Sequence, residues 1–269
     1  MDWRLDHVVV AGQDLERLQS AFAEVGLPAD YGGEHAHGIT HNCILGFHDG
    51  SYLELIAKLE NEKSPWWDQY LDADAGPAAW AIAVDDIESA TEELTSRGIA
   101  VDQPTHHLRE RPDGRRIEWE MATVTGELGT SVPFLIHDHT PRSDRVYPTD
   151  DRADIEITGV SEVIVGVEDL SKATSRFQKF FNADQPVISD RNLFGVPGAR
   201  FEDVPVTLIH AMEDEEITRR IKRFGDCLIG FLFDTKENAD LTTGSTEDWF
   251  DATVSFVDVD VYGWYGFVE

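Results

Sequence analysis

Two residues with side chains that bind metals lie in otherwise apolar segments near the start of the chain. His7 is followed by three valines, and Glu54 lies between Leu53 and Leu55. A buried carboxylate is costly unless it is paired or bound to a metal. Imidazole and carboxylate together suit Zn²⁺, Fe²⁺, Mn²⁺ or Ni²⁺ better than Ca²⁺. The two residues are therefore a candidate metal site. Two alternatives stand beside it: strand alternation turns both side chains into water, or they pair with each other.

A second concentration of charged side chains is a turn that is rich in arginine. Arg111 precedes the turn signal Pro-Asp-Gly, and Arg115 and Arg116 follow it. An arginine fork at this turn could hold a carboxylate or a phosphate of a substrate. Pairing with neighbouring glutamates is the stronger alternative. Trp119, in the same stretch, either lines an apolar pocket or belongs to the core.

Three segments of the chain share a pattern that would position these side chains. Each is a short apolar strand that ends in Asp and an apolar residue, and each continues into a helix with an apolar face. The Asp caps the helix and opposes its dipole. Gly26, Gly98 and Asn182 stand where the three helices should end. About three extended segments follow each helix, so the repeated unit is a strand, a helix and three strands.

These units predict an α+β fold in which βαβββ modules pair into curved mixed sheets around a cavity. The modules begin near residues 5, 78 and 158, and the segment from residue 228 resembles a fourth, degenerate start. Three or four modules make two paired halves. We therefore predict a first domain over residues 1–140, a linker over 141–156 and a second half over 157–269, formed by one module and the degenerate fourth.

The acidic composition restricts the partners of the protein. The chain has 52 Asp and Glu against 22 Lys and Arg, which gives a formal net charge of -30. Such a chain repels nucleic acid and anionic lipid, so the expected partner is a small molecule. The acidic residues are spread over the whole chain, which is typical of a halophile that accumulates salt, since high salt screens the self-repulsion. A homodimer is left open.

Apolar content and cysteine usage predict a folded, cytoplasmic protein. Hydrophobic residues make up 41% of the chain, which argues against disorder. No apolar run reaches the roughly 18 residues that span a bilayer, and the N-terminus lacks the pattern of a signal peptide. Cys43 and Cys227 fit two reduced thiols better than a disulfide. The chain also lacks the Walker, dinucleotide-binding, CxxC and GxSxG motifs.

Seven short motifs follow one another between residues 5 and 140. They are LDHVV at 5–9, GGEH at 32–35, GITHN at 38–42, DGSYLELI at 49–56, RPDG at 111–114, IEW at 117–119 and VPFLI at 132–136. In order and spacing they resemble the glyoxalase-like family of the vicinal oxygen chelate superfamily. Residues 157–269 resemble it only in the shape of their modules.

The resemblance implies a metal site inside the cavity of the sheet. In this superfamily, the first and fourth strands of each module supply ligands to a divalent metal that chelates adjacent oxygens of a substrate. Those positions correspond to His7 and Glu54 in the first module, whereas residues 79–81 of the second module offer no ligand. His137, near the fourth-strand position of the second module, would complete a set of three ligands with positions open for substrate.

The other site residues follow from the same resemblance for His41 and Asn42, and from the arginine-rich turn and the apolar pocket described above for Arg111 and Trp119. We assign Glu54 and His41 to catalysis and Asn42, Arg111 and Trp119 to substrate binding. For the histidines at 35 and 37, in the preceding loop, two interpretations stay open: they belong to the site, or they form a polar loop that caps the strand that begins near His41. In the third module, a glutamate at 162 stands where the first module has its histidine, and a threonine at 207 or a histidine at 210 stands near the place of its glutamate. This loss of ligand residues predicts a structural partner half, and a second site formed by Glu162 and His210 is the alternative.

Two classes of function follow from the resemblance. The first is a metal-dependent lyase or isomerase, in which the metal stabilises an enediolate and Glu54 or a neighbouring carboxylate moves the proton. The second is a protein that binds an apolar ligand without chemistry, as drug-sequestering members of the superfamily do. The ligands missing from the second module favour this alternative. An extradiol-type dioxygenase is a weaker third alternative, because its ligands lie in the second half, where this chain offers at most His210.

Overall fold

The computed structural model describes residues 3–59, 62–126, 131–146, 157–190, 196–210, 215–235, 245–249, 252–258 and 264–268. Within these ranges the chain forms sixteen strands and six helices. The strands make two sheets of eight strands each. This is the predicted α+β arrangement of curved mixed sheets.

The first sheet is built from two βαβββ modules, as predicted. Its elements are β1 (Arg4–Ala11), α1 (Leu15–Glu24), β2 (Asp30–Glu34), β3 (Thr40–Gly46), β4 (Tyr52–Lys58), α2 (Asp68–Leu71), β5 (Gly76–Ala83), α3 (Ile87–Ser96), β6 (Thr105–Glu110), β7 (Arg116–Ala122) and β8 (Phe134–Asp138). The strand order is β2-β3-β4-β1-β5-β8-β7-β6. The first and fourth strands of each module pair in parallel, and the antiparallel pair β1–β5 joins the two modules.

The second sheet repeats this order of strands. After α4 (Arg142–Arg145), which follows the first sheet, its elements are β9 (Ile157–Gly166), α5 (Leu170–Phe181), β10 (Val187–Ser189), β11 (Gly198–Arg200), β12 (Val206–Ile209), α6 (Glu215–Phe224), β13 (Cys227–Thr235), β14 (Ser245–Trp249), β15 (Ala252–Asp258) and β16 (Trp264–Val268). The order is β10-β11-β12-β9-β13-β16-β15-β14. The degenerate helix expected after β13 falls on residues 236–244, outside the described residues.

The start and stop signals of the three main helices act as predicted. The side chains of Asp14, Asp86 and Asp169 each accept a hydrogen bond from the backbone N–H three residues further on. Gly26, Gly98 and Asn182 all have positive φ angles, of 85°, 69° and 53°. The repeated pattern in the sequence therefore reflects local backbone chemistry that sets the length of each helix.

Alternation along the strands separates two apolar faces in each sheet. In β1, Val8 and Val10 pack towards the helices, whereas Val9 packs on the other side of the sheet. The helix-side core runs without a break from the first half into the second. Trp3 Nε1 donates to the carbonyl of Phe181 at 2.8 Å, which ties the start of the chain to α5. None of the helices in the described part of the chain is long and apolar enough to cross a membrane.

Candidate functional site

A small cavity lies on the face of the first sheet that is opposite its helices. Its volume is about 30 Å³, which holds roughly two water molecules, or one ion with one water. Its polar lining consists of His7, His35, Asn42, Tyr52, Glu54, Arg109 and Arg145. Its apolar lining consists of Ile44, Trp66, Trp67, Trp119, Met121, Phe134 and Ile136. Most of these residues are two apart on a strand, because side chains that alternate along a strand reach the same face.

Glu54 stands at the centre of the polar side of the cavity. The amide of Asn42 donates to its Oε1 at 2.6 Å. Nε2 of His35 lies 3.4 Å from the same oxygen, and Nε2 of His7 lies 3.7 Å from Oε2. Burial alone would raise the pKa of this carboxyl, but these neighbours outweigh it and lower the pKa to about 2. Glu54 is therefore ionised at neutral pH.

Both imidazoles are held through their other ring nitrogen. His7 Nδ1 lies 2.6 Å from a carboxylate oxygen of Asp6, which can only accept, so Nδ1 of His7 carries a proton. His35 Nδ1 lies 2.9 Å from the hydroxyl oxygen of Thr40. Histidines that bind metals are commonly oriented in this way, with Nδ1 paired and Nε2 facing the ion. The two rings thus present Nε2 to Glu54.

A buried ionic cluster lies behind His7. Asp6 is fully buried, and Arg145 donates to its two oxygens at 3.0 and 2.9 Å. Arg145 also donates to the hydroxyl of Tyr52 at 2.7 Å and to Asp138 at 2.5 Å. Burial alone would raise the pKa of Asp6, but the charges of Arg145 and His7 and their hydrogen bonds hold it well below its usual value. The ring of Tyr52 stacks on that of His7 with centroids 4.4 Å apart.

Of the residues predicted from the sequence, the structure brings together His7, Glu54, Asn42 and Trp119. These four lie on strands whose alternation was readable in the sequence. The candidate pairing of His7 with Glu54 is also present as a contact, since the closest atoms are 3.7 Å apart. The two side chains therefore do not point into water.

The other three predicted residues do not line the cavity. His41 is adjacent to Asn42 in β3, so its side chain points to the other face of the sheet. Its ring packs against that of Tyr31, with centroids 5.9 Å apart. His137 lies one position beyond a cavity residue of β8, and its Nδ1 lies 3.0 Å from the carbonyl of Val84. Arg111 pairs with Asp113 at 3.3 Å, within the turn itself. The pairing with a neighbouring glutamate that stood as the alternative is seen for Arg116, which lies 2.7 Å from Glu118.

Several lining or supporting residues were not assigned to the site from the sequence. Among them, Asp6, His35, Arg109 and Arg145 are each no more than 5% exposed. For Arg109 a signal existed in the glycine pair at 32–33. A Cβ at Gly32 would lie 2.3 Å from Asn42 Oδ1 and 2.7 Å from Arg109 Nη1, so only glycine lets both side chains approach. Arg145 had no such signal.

The donor set fits a divalent metal in its chemistry. No group of three or more His, Cys, Asp and Glu side chains in the described part of the chain is arranged to hold an ion as it stands. Two donors of one tetrahedral ion lie about 3.4 Å apart when each bond is ~2.1 Å. His35 and Glu54 meet this spacing at 3.4 Å, and His7 and Glu54 approach it at 3.7 Å. Asn42 Oδ1 is buried and has no hydrogen-bond partner, which leaves an unpaired acceptor beside the cavity.

The corresponding position of the second sheet is closed by an ion pair. Glu162 stands in the place of His7, and its Oε2 lies 3.0 Å from Nε of Arg200. Its other oxygen accepts a hydrogen bond from Thr207, the residue that takes the place of Glu54. His210 lies at the end of β12, with Nδ1 3.3 Å from the carbonyl of Val167. The second half thus pairs its polar groups internally.

Comparison with known proteins agrees with this architecture. A structure of a hypothetical protein from Staphylococcus aureus is 16% identical, with a TM-score of 0.72 over 98% of each chain. A 2,2',3-trihydroxybiphenyl 1,2-dioxygenase from Sphingomonas wittichii strain RW1 is 11% identical, with a TM-score of 0.58 over 100% of this chain and 90% of the other. The Mn(II)-bound glyoxalase from Novosphingobium aromaticivorans is 10% identical, with a TM-score of 0.54 over 98% and 81%. At these identities the likeness shows the fold alone.

Sequence comparison defines the family. No curated protein sequence matches the chain. The family model of the glyoxalase-like domain matches residues 5–181, which is well over half of the chain and includes the whole first sheet together with β9 and α5. The chain therefore belongs to the glyoxalase-like domain family.

Proposed function

We propose that the cavity of the first sheet is a metal-dependent site for a small substrate with adjacent oxygens, and that it performs lyase or isomerase chemistry of the glyoxalase type. The observation that carries the proposal is that Nε2 of His7 and a carboxylate oxygen of Glu54 approach each other inside the cavity. The two side chains are already oriented by other partners, since Asp6 contacts Nδ1 of His7 and the amide of Asn42 donates to Oε1 of Glu54. The Mn(II) ion of the structurally similar glyoxalase supports a divalent metal.

The residues of the cavity have separate roles in the proposed reaction. A bound divalent ion would polarise the adjacent oxygens of the substrate. Asn42 fixes the carboxylate of Glu54 through its amide, and its unpaired Oδ1 is available to a substrate hydroxyl. Among the described residues, Glu54 is the one carboxylate in the lining, so it is the group to accept a proton from substrate carbon. Trp66, Trp67 and Trp119 exclude water.

A second candidate function is the binding of an apolar ligand without chemistry. The low pKa of Glu54 favours it, because a carboxylate that is ionised so readily is a weak base. The tryptophans of the lining favour it as well, since they offer a stacking surface to an aromatic ligand.

Metal analysis of protein purified without chelators separates the two functions. We expect the wild type to hold one divalent ion per chain. His7→Ala and Glu54→Gln should each lower the affinity for that ion by at least ~10–100-fold, because removal of a ligand costs no less than removal of its supporting partner. His210→Ala, in the closed half of the molecule, is the control and should leave the affinity unchanged.

The opposite result is equally informative. A wild type that stays free of metal after growth in metal-rich medium, and that still binds an apolar fluorophore, would replace the enzyme with the binding protein. Equal metal content in the wild type and both site variants would show that any ion is held elsewhere, for instance on the acidic surface.

A further inference from the structure

The second module of the first sheet has no donor at the positions that correspond to the two ligands of the first module. Glu54 of β4 lies opposite Val9 of β1, and Phe134 of β8 lies opposite Ala81 of β5. Phe134 therefore takes the place of the glutamate, and Ala79, two residues before Ala81, takes the place of the histidine. Both are buried and apolar. An ion bound to the first module would find no ligand across the module boundary.

A further imidazole stands on the opposite flank of Glu54. His35 follows β2 directly, and it forms a backbone bridge with Arg109 of β6. Its side chain is 5% exposed, and its Nε2 lies 3.4 Å from Glu54 Oε1. The distance is shorter than that of His7 to the same carboxylate, which is 3.7 Å. The two imidazoles thus face different oxygens of one carboxylate.

The orientation of His35 is fixed from three sides. Its Nδ1 lies 2.9 Å from the hydroxyl of Thr40, which is fully buried. The ring of Trp66 packs edge-on against it with centroids 5.3 Å apart, and the ring of Trp119 lies at 6.5 Å. The side chain therefore cannot turn Nε2 away from the cavity without losing a buried hydrogen bond and an aromatic contact.

We propose that His35 replaces the ligands missing from the second module, so that His7, His35 and Glu54 bind one divalent metal ion from a single module. Their donor atoms do not converge on one point in the structure, so binding requires them to draw together around the ion. The inference rests on the proposed function, because it names the third ligand of the same site. Two imidazoles and one carboxylate select a first-row ion such as Zn²⁺, Mn²⁺ or Fe²⁺ and leave the remaining positions open. The ion and this set together carry a net positive charge, which favours a substrate with anionic or strongly polarised oxygens.

Titration with Co²⁺ tests the inference directly, because its visible absorption reports the number and type of ligands. The full-length protein is stripped of metal and titrated with Co²⁺ alone. His35→Ala should weaken Co²⁺ binding at least ~10–100-fold and change the absorption spectrum, since a nitrogen ligand is lost. His37→Ala is the matched control. His37 stacks on His35 at 5.6 Å and contacts Trp66 at 4.8 Å, but it does not line the cavity. His137→Ala is a second control, and both should bind Co²⁺ as the wild type does.

The outcomes separate the inference from the function on which it rests. If the wild type binds Co²⁺ in the cavity and His35→Ala binds it equally well with the same spectrum, the inference is wrong and the proposed function stands. If the wild type binds no Co²⁺, both are wrong. Should His35→Ala fail to fold, His35→Asn decides the same question, because its amide can keep the contact with Thr40 but cannot reach the ion.

Discussion

The carboxylate of Asp6 connects the candidate ligand His7 to a helix that follows the first sheet. It accepts from Nδ1 of His7 on one side and from Arg145 of α4 on the other. A carboxylate at Nδ1 fixes the ring and increases the basicity of Nε2. Arg145 neutralises the buried charge that this arrangement requires, and it is itself only 3% exposed. Asp6 is thus a positioning residue for His7.

Replacement of Asp6 should affect both the site and the stability. Asp6→Asn should weaken metal binding by ~10–100-fold, as expected for the supporting partner of a ligand. It should also lower the free energy of unfolding by about 3–5 kcal/mol, because it leaves the charge of Arg145 partly uncompensated. The control is Asp138→Asn, which loses a contact to Arg145 but none to His7. Titration calorimetry and urea unfolding should show lower stability and normal metal affinity for the control; weakened metal binding in both variants would contradict a specific action on His7.

The residues of the cavity could be predicted in part because short motifs of the chain resemble those of the family. His7, Glu54 and Asn42 were assigned from that resemblance and Trp119 as a candidate wall of an apolar pocket, and all four line the cavity. A shift of one residue moves a side chain to the other face, which is why the adjacent histidines of β3 and β8 lie outside the cavity. Contacts between residues far apart in the chain, such as Arg145 with Asp6, leave no trace in local patterns.

At the level of the element, the helices of the modules are bounded by side-chain caps that the sequence shows directly. The Asp-apolar signal at the end of each leading strand places the first turn of α1, α3 and α5. Such signals act over three or four residues, so they were readable without the fold. The short helices α2 and α4 were not predicted, since neither has a side-chain N-cap in the structure. Their positions depend on tertiary packing.

The cap of α3 gives a local test of this account. The side chain of Asp86 accepts from the backbone N–H of Ser89 at 2.9 Å. Asp86→Ala should lower the free energy of unfolding by about 1 kcal/mol. Asp85→Ala, which removes the same charge one position earlier, should change it by much less. Urea unfolding of both variants measures the difference, and equal losses would show that charge rather than capping decides the effect.

At the level of the whole molecule, the two sheets share a core and are linked by hydrogen bonds across the halves. Arg97 of the first half donates to the carbonyl of Phe180 in α5 at 2.6 Å, and Arg220 of α6 donates to the carbonyls of Ala75 and Pro77. The segment that follows β8 also packs on the first sheet through α4. We therefore propose that the first domain extends to residue 146 rather than 140.

The net charge of -30 predicts a dependence of stability on salt. Self-repulsion among dispersed acidic residues opposes the compact state, and screening weakens it as the Debye length falls to about 3 Å at 1 M salt. The melting temperature should rise steeply from low salt to about 1 M KCl. Calorimetry or circular dichroism across that range measures it. A flat melting temperature would contradict the halophilic interpretation.

The most direct test of the central claim is anomalous diffraction from crystals of the full chain grown with Mn²⁺ or Zn²⁺. The account predicts one strong peak in the cavity, about 2.0–2.3 Å from Nε2 of His7 and from a carboxylate oxygen of Glu54. A cavity without a peak, in crystals whose acidic surface does bind the ion, would contradict it. The polar cluster around Glu54 would then be a structural hydrogen-bond network, and the cavity would not be a metal site.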